Sequence, residues 1–279
     1  MAPEDFARNI LLSSKLADKL KPFEGSNFDI GKGEKVPDTP ARSHLLKFSS
    51  KKIKFPKASQ FHHQDKRAMA LHFFANHELL AIEMMAAFLL KFPTENEQDI
   101  KLKLGVLSAL EDEQKHLKMY LKRMKELGTE FGDYPLNDFF WKQMNYIDKK
   151  EEFLAVMSLT FETANLDFCL FYREVFNECE DLESAKIMEV IFEDEISHVK
   201  LGLNFLNKWK QDQDLFDYYK SLLPEGLSPN RSKGINFNAK LRREIGFEKS
   251  FVEKIENYQE KNRIFNRRDN VQRSSEHRF

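Results

Sequence analysis

Two Glu-x-x-His motifs are the residues in this sequence best suited to metal chemistry. They occur at Glu113 with His116 and at Glu195 with His198. A spacing of three residues places a carboxylate and an imidazole on the same face of a helix, where both can bind one metal ion. One such motif arises readily by chance in a charged helix. Two copies, each expected on the second helix of a helical hairpin, predict a site for two metal ions.

An aspartate precedes each motif, Asp112 in the first and Asp194 in the second. We expect these carboxylates to accept a hydrogen bond from the N–H of a ligand imidazole. Such a bond fixes the tautomer and the orientation of the histidine that binds the metal.

A two-metal site in a four-helix bundle needs one further carboxylate from each of the two remaining helices. Glu162 meets this need on the third helix, because its neighbours are small or apolar and an unpaired carboxylate is costly to bury there. On the first helix the candidates are Glu78 and Glu83. Glu78 falls on an apolar stripe and Glu83 on a stripe of polar and small residues, which favours Glu78. Glu83 remains the alternative ligand.

The spacings of these residues indicate a duplicated hairpin. Glu78 and Glu162 lie 84 residues apart, and the two Glu-x-x-His motifs lie 82 residues apart. Mixed carboxylate and imidazole ligands suit iron and manganese. We therefore expect two iron ions, with manganese or a mixed manganese–iron pair as alternatives, held by Glu78, Glu113, His116, Glu162, Glu195 and His198.

Long helical patterns surround the candidate ligands and predict an all-α fold. Four helices are expected over residues 64–92, 96–127, 150–178 and 182–209, each stopped by proline, glycine or a polar turn. Two short turns and one long connection, over residues 129–149, describe a four-helix bundle with one long crossover, which is the ferritin-like arrangement.

The remaining sequence divides around this bundle. We expect an N-terminal helix and an extended, unpacked basic arm over residues 1–63, the bundle over 64–210, and a C-terminal helical extension with a polar tail over 211–279, all within one compact domain. Helices outside the bundle are predicted over residues 1–20, 212–223 and 238–259.

Bulk properties exclude several classes of protein. The net charge is −1, which gives no general attraction to nucleic acid or to membranes. The two cysteines, Cys169 and Cys179, predict reduced thiols. No signal peptide and no uninterrupted apolar span of about 18 residues is evident. We expect a cytoplasmic protein without a membrane segment.

Basic residues cluster at both ends of the chain. Lysines of the arm and arginines of the tail could hold the phosphates of RNA or of a phosphorylated substrate, although solvated, flexible segments have the same composition. These residues are Lys47, Lys51, Lys52, Lys54, Lys57, Arg263, Arg267, Arg268, Arg273 and Arg278.

Several segments resemble the ferritin-like proteins known as domain-of-unknown-function family 455. The resemblance rests on residues 73–83, 112–116, 161–167 and 194–199 of the bundle, and outside it on residues 40–42, 131–133, 234–240 and 246–247. It covers most of the chain and implies a di-iron ferritin-like fold with no settled reaction.

The chain is also similar, more distantly, to tRNA-modifying di-iron hydroxylases, in which a helical glutamate after a run of small residues is a ligand. Glu78 occupies that position. His77 beside it departs from the pattern, and it is expected either at the rim of the site or as a hydrogen-bonded structural histidine.

These observations predict an oxygen-activating oxidoreductase, a hydroxylase or an oxidase, whose substrate the sequence does not specify. Its partners would be molecular oxygen, a small or phosphorylated substrate and an external electron donor, and a homodimer is an option. The alternative is a non-enzymatic iron-binding, ferroxidase or storage protein of ferritin-like type. A metal-free scaffold is the third hypothesis.

Overall fold

A computed structural model describes residues 1–25 and 27–260 of the chain. Within these ranges the regular structure is helical, and the only β-type pairings are two isolated bridges, Gly31 with Thr94 and Phe48 with Leu136. The prediction of an all-α bundle is confirmed. The α-helices are α1 Pro3–Leu12, α2 Leu16–Lys19, α3 Gln64–Lys91, α4 Glu97–Glu126, α5 Lys150–Val156, α6 Thr163–Glu178, α7 Leu182–Trp209, α8 Leu215–Leu222, α9 Ala239–Ile245 and α10 Lys249–Glu256.

Two helical hairpins form the bundle. Helix α3 packs along α4, α6 packs along α7, and α4 and α7 pack against each other. Side-chain caps start the second helix of each hairpin. Asn96 accepts hydrogen bonds from the first turn of α4, and Asp181 accepts one from the backbone of Ser184 in α7. These caps fix where the Glu-x-x-His motifs begin relative to the hairpin turns.

The third bundle helix is continuous but changes its winding. Between α5 and α6, residues Met157–Glu162 form a π-helical segment. The hydroxyls of Thr160 and Thr163 donate to carbonyls five residues earlier, at Ala155 and Ser158, which suits the wider turn. Glu162 is the last residue of this segment, so the π turn sets the direction of its side chain.

Helix α7 lies very close to the π-helical segment. A Cβ atom added at Gly202 would meet Cβ of Ser158 at 2.2 Å. Glycine at this position therefore permits the close approach that seals one side of the bundle around Glu162.

The N-terminal region is packed, which corrects the prediction of an unpacked arm. Its backbone is mostly irregular, as predicted, but Phe28, Arg42 and Leu46 are buried. Helix α1 packs on α3. The lysines of the arm are largely exposed, whereas its apolar residues and Arg42 turn inward. The single helix predicted over residues 1–20 is two helices, because the backbone at Ser13 is extended.

The C-terminal region also packs on the bundle. Helix α8 contacts α5, and α9 contacts α7. The helix predicted over residues 238–259 is two helices, since Gly246 between them has a φ of +122°, which ends α9. The arginines predicted to contact phosphates in the tail lie outside the described residues.

Two stretches, Gln64–Lys91 and Lys150–Glu178, are long and apolar enough to cross a membrane by length and composition. In each, 83% of the most apolar window is buried inside the protein. This degree of burial is typical of a helix in a protein core. Helix α3 can be apolar around most of its circumference, since α1, the arm and α4 pack around it.

Candidate metal centre

The two Glu-x-x-His motifs face each other inside the bundle. Glu78, Glu113 and His116 form one group, and Glu113, Glu195 and His198 form a second. Within each group the potential ligand atoms lie within 4.8 Å of one another, and all five residues are buried. Glu113 belongs to both groups. Residues from α3, α4 and α7 therefore converge on a place where a metal ion could bind.

Both histidines point Nδ1 at these carboxylates. In the second group, Nδ1 of His198 lies 3.4 Å from Oε1 of Glu113 and 3.4 Å from Oε2 of Glu195. In the first group, Nδ1 of His116 lies 3.6 Å from Oε2 of Glu78. The centroids of the two rings are 6.5 Å apart. The two groups are thus adjacent and share Glu113.

The two aspartates bind the opposite nitrogen of each ring, and they do so crosswise. Nε2 of His116 is 2.8 Å from Oδ2 of Asp194, and Nε2 of His198 is 3.3 Å from Oδ2 of Asp112. Nζ of Lys115 lies against both aspartates. Each aspartate binds Nε2 of the histidine on the other helix, so Nδ1 is the atom that each ring directs at the centre.

Several buried ligand atoms at this centre have no hydrogen-bond partner among the described residues. They are Nδ1 of His116, Nδ1 of His198, Oε2 of Glu162 and Oε2 of Glu195. A buried polar atom without a partner costs free energy, so native proteins leave few of them. Four such atoms around one centre fit a bound cation, and oxygen with imidazole nitrogen is a donor set that suits iron or manganese.

Without a metal ion, protonation of the two histidines is the nearest source of positive charge at the centre. Burial and the neighbouring Glu113 raise the pKa of Glu78 well above its usual value. Burial raises the pKa of Glu162 to about 8. Burial alone would lower the pKa of His116, but its hydrogen bond to Asp194 and the nearby charges of Glu113 and Glu78 outweigh this and raise it well above 6.5. A bound metal ion could take the place of the protons on the two histidines and offset the same carboxylates.

Glu162 lies at the border of the centre. It belongs to neither of the two groups, although it is buried and its charge interacts with His198, Glu195 and Glu113. The predicted set of six ligands is therefore represented by five residues in two close groups, with Glu162 beside them.

Glu83 points away from this centre. It is fully buried, where Nζ of Lys19 lies 3.1 Å from Oε1 and the guanidinium of Arg42 binds both carboxylate oxygens at 2.6 and 3.1 Å. Two cations of the N-terminal region thus neutralise Glu83. This arrangement favours Glu78 over Glu83 as the candidate ligand on α3.

A cavity of about 330 Å³ adjoins the centre. Glu78, Glu113, Glu162 and Glu195 contribute to its wall. His77 lines it as well, and its ring stacks on Phe140 with centroids 4.9 Å apart. Burial and the nearby Arg231 lower the pKa of His77 to about 4. Among the described residues His77 has no hydrogen bond, so it is a neutral ring at the rim of the site.

Sequence reasoning missed several residues of this cavity. Tyr120 is buried in its wall, four residues after His116 on the same face of α4, a spacing that could have identified it. Asn165, three residues after Glu162, donates from Nδ2 to Oε1 of Glu195 at 2.7 Å. Arg231 comes from the C-terminal region, and no spacing rule connects that region to the bundle.

Comparison with known proteins places the chain in a family. An uncharacterised protein of Haemophilus influenzae is 24% identical over 209 residues, which cover 71% of this chain and 69% of that protein. No solved structure matches. Residues 4–253 match the family described as Protein of unknown function (DUF455). The match extends from α1 to α10, and the chain belongs to this family.

Proposed function

We propose that this chain is a ferritin-like di-iron carboxylate protein that oxidises a small organic substrate with molecular oxygen. The observation that carries the proposal is the set of four buried, unpartnered ligand atoms on His116, His198, Glu162 and Glu195. Together with Glu78 and Glu113, they are the donor set expected for two iron ions in a bundle. Manganese or a mixed pair would suit the same donors.

Each residue has a separate task in this proposal. Glu113 would serve both ions because it belongs to both groups, and His116 and His198 would each bind one ion through Nδ1. Asp112 and Asp194 hold the two rings in place through Nε2. Glu162 is next to the second group and would complete the set.

The proposed cofactor supplies the activation of dioxygen, with two electrons from an external donor when a substrate is hydroxylated. The protein supplies the surroundings. Phe140 and Phe161 stack at 4.1 Å over one side of the cavity and keep bulk water from the carboxylates. Burial of all six candidate ligands holds the reacting region dry.

The cavity favours an enzyme over the storage alternative. Storage or oxidation of iron alone needs a path for ions, and such a path would be lined with polar groups. Here the space beside the centre is walled largely by aromatic rings. A cavity of about 330 Å³ is within the range of small-molecule sites. Four expectations remain predictions: the cytoplasmic location, the external electron donor, the homodimer and the binding of RNA.

The test is oxygen consumption by the full chain after anaerobic loading with ferrous iron. We expect the loaded parent to consume oxygen, and the Glu113→Ala and Glu195→Ala variants to bind iron at least 10-fold more weakly because each removes a ligand. Glu193→Ala is the matched control, since Glu193 is exposed on the same helix. Parent-like iron affinity in both ligand variants would show that the proposed centre is wrong.

Size-exclusion chromatography separates the enzyme from the storage alternative. We expect a small species that binds iron in a fixed ratio to the chain. A very large particle that accumulates iron without limit would favour storage.

A further inference from the structure

The cavity beside the candidate metal centre has two kinds of wall. The buried carboxylates of the candidate centre form its inner part, and the more exposed Arg231 and Lys233, from the loop between α8 and α9, form its outer part. Aromatic rings supply much of the remaining wall. The wall is thus acidic in its buried part and cationic in its exposed part, which limits what can enter.

The aromatic sides are flat and closely packed. On one side, Phe140 stacks on Phe161 with an interplanar angle of 7°, and Phe139 lies 6.0 Å from Phe161. A second aromatic group in the wall contains Phe55 and Tyr172, whose centroids are 5.5 Å apart. Aromatic walls of this kind favour a flat, apolar molecule, because rings gain from offset or edge contacts with one another.

The two cations at the outer end have no carboxylate bonded to them among the described residues. The guanidinium of Arg231 lies over the ring of Phe139, with Cζ 4.7 Å from the centroid. Nζ of Lys233 donates to the backbone carbonyls of Glu256 and Tyr258 at 3.3 and 3.4 Å. Arg42 and Arg123, by contrast, each bind an acidic partner. Arg231 and Lys233 are therefore available to an anion from outside.

A buried ion pair holds this loop on the bundle. The guanidinium of Arg242 donates to both oxygens of Asp167 at 2.8 Å, and the same carboxylate accepts the backbone N–H groups of Gly234 and Asn238. A Cβ atom at Gly234 would meet the carbonyl oxygen of Ala164 at 2.7 Å, so only glycine allows this approach. The two cations are thus placed by contacts with the helix that follows Glu162, rather than by a free loop.

We propose that the substrate is a small organic anion with a flat, apolar body, whose acidic group binds Arg231 and Lys233 while its body lies between the aromatic walls. This inference rests on the proposed function, since it names the substrate class of the same centre. The orientation places the reacting carbon at the end of the molecule farthest from its acidic group. A metal-bound acid in the reverse orientation would leave both cations without a partner.

The test is equilibrium binding of 2-naphthoate to the full-length protein by isothermal titration calorimetry, as isolated and after loading with manganese(II). We expect one saturable site. The neutral isostere 2-naphthamide should bind at least 10-fold more weakly, because it cannot form charge-assisted hydrogen bonds. Acetate should bind more weakly still, because it lacks the flat body.

Variants of the two cations test the orientation. We expect Arg231→Gln with Lys233→Gln to weaken 2-naphthoate at least 10-fold and to leave 2-naphthamide within 2-fold. Arg231→Lys should restore part of the affinity. Arg243→Gln is the matched control, since Arg243 is exposed and does not line the cavity.

Three outcomes would overturn the proposal. They are equal affinity for the acid and the amide, parent-like binding of the acid by the double variant, and no binding of the acid with or without metal. These outcomes are distinct from failure of the proposed function. A protein that binds no metal but binds 2-naphthoate through Arg231 would refute the di-iron centre alone, whereas a metal-loaded protein that ignores 2-naphthoate would refute the substrate class alone.

Discussion

Glu78 and Glu83 lie five residues apart on the same helix, both buried, and their surroundings are opposite. Glu83 contacts Lys19 and Arg42, which are themselves buried. Glu78 faces another glutamate, Glu113, and the histidine His116, whose Nδ1 has no hydrogen-bond partner. Among the described residues, Glu83 is paired with a lysine and an arginine, and Glu78 with neither.

The two surroundings differ in where the compensating positive charge comes from. Moving an unpaired carboxylate from water into the protein interior costs on the order of several kcal/mol. At Glu83 the protein offsets this cost with Lys19 and Arg42 and gains a contact that holds the N-terminal region on the bundle. At Glu78 we propose that a bound metal ion offsets it.

The largest expected effect comes from removing the charge of Glu83. We expect Glu83→Gln to lower the free energy of unfolding by about 3–5 kcal/mol, because it leaves Lys19 and Arg42 buried without their partner. Urea denaturation of the metal-free protein measures this. Metal content per folded chain should not change.

Glu78→Gln is the matched counterpart in the same helix. We expect it to change the stability of the metal-free protein by no more than about 1 kcal/mol, or to increase it, because glutamine replaces a carboxyl whose charged form is disfavoured by burial and by Glu113. Metal affinity should fall. Equal destabilisation by the two variants would erase the distinction between the two carboxylates.

The buried imidazole of His72 predicts a loss of folding stability at acid pH. Nε2 of His72 accepts the backbone N–H of Gly132 at 2.9 Å, which requires a neutral ring, and burial lowers the pKa of His72 to about 4. In the unfolded chain His72 binds a proton more readily than in the folded protein. The stability contributed by the neutral ring is therefore complete above pH ~6.5 and is lost as pH falls toward ~4.

The His72→Gln variant isolates that contribution, since the amide can still accept from Gly132. We expect the parent to lose about 3 kcal/mol more than the variant between pH ~7 and pH ~4, by the linkage of a shift from 6.5 to about 4. Denaturant midpoints measured across this range give the difference. Parallel pH profiles would mean that His72 is not held neutral.

A substitution in α7 tests the position of Glu162. Gly202→Ala would place a Cβ atom against Ser158 in the π-helical segment, and we expect a loss of about 1–3 kcal/mol in stability from overpacking. Metal affinity should fall as well, because the shift carries Glu162 with it. Gly31→Ala serves as the control for a glycine-to-alanine change without a clash, since the nearest atom to its added Cβ is the carbonyl oxygen of Asp29 at 4.0 Å. Unchanged metal affinity with lowered stability would remove Glu162 from the proposed set.

Periodicity predicted the bundle helices and separated the two faces of α3, and it did so for physical reasons. His72, Asn76 and Glu83 form one polar stripe, and this stripe binds the crossover and the arm. Its partners lie 60, 61 and 41 residues away in the sequence. Local spacing shows that a face is polar, but it does not show which distant segment covers that face.

Other features depended on contacts that no local pattern encodes. The crosswise pairing of Asp112 with His198 depends on how α4 and α7 are aligned along the bundle axis, which the sequence does not show. The arm was predicted to be unpacked because it is rich in proline and lysine, and nothing in that composition indicates that Arg42 binds Glu83. The π turn before Glu162 arises from threonine hydroxyls and from the close approach of Gly202. Its sequence signal resembles that of an ordinary helix.

The most direct test of the metal centre is elemental analysis of the parent and two variants, purified from cells grown with added iron and manganese. The parent and Glu83→Gln should each retain about two iron or manganese ions per folded chain, as expected for a two-metal bundle. Glu113→Gln should lose most of this metal, because Glu113 belongs to both ligand groups. A parent protein without metal, or a Glu113→Gln variant with the parent's metal content, would contradict the account.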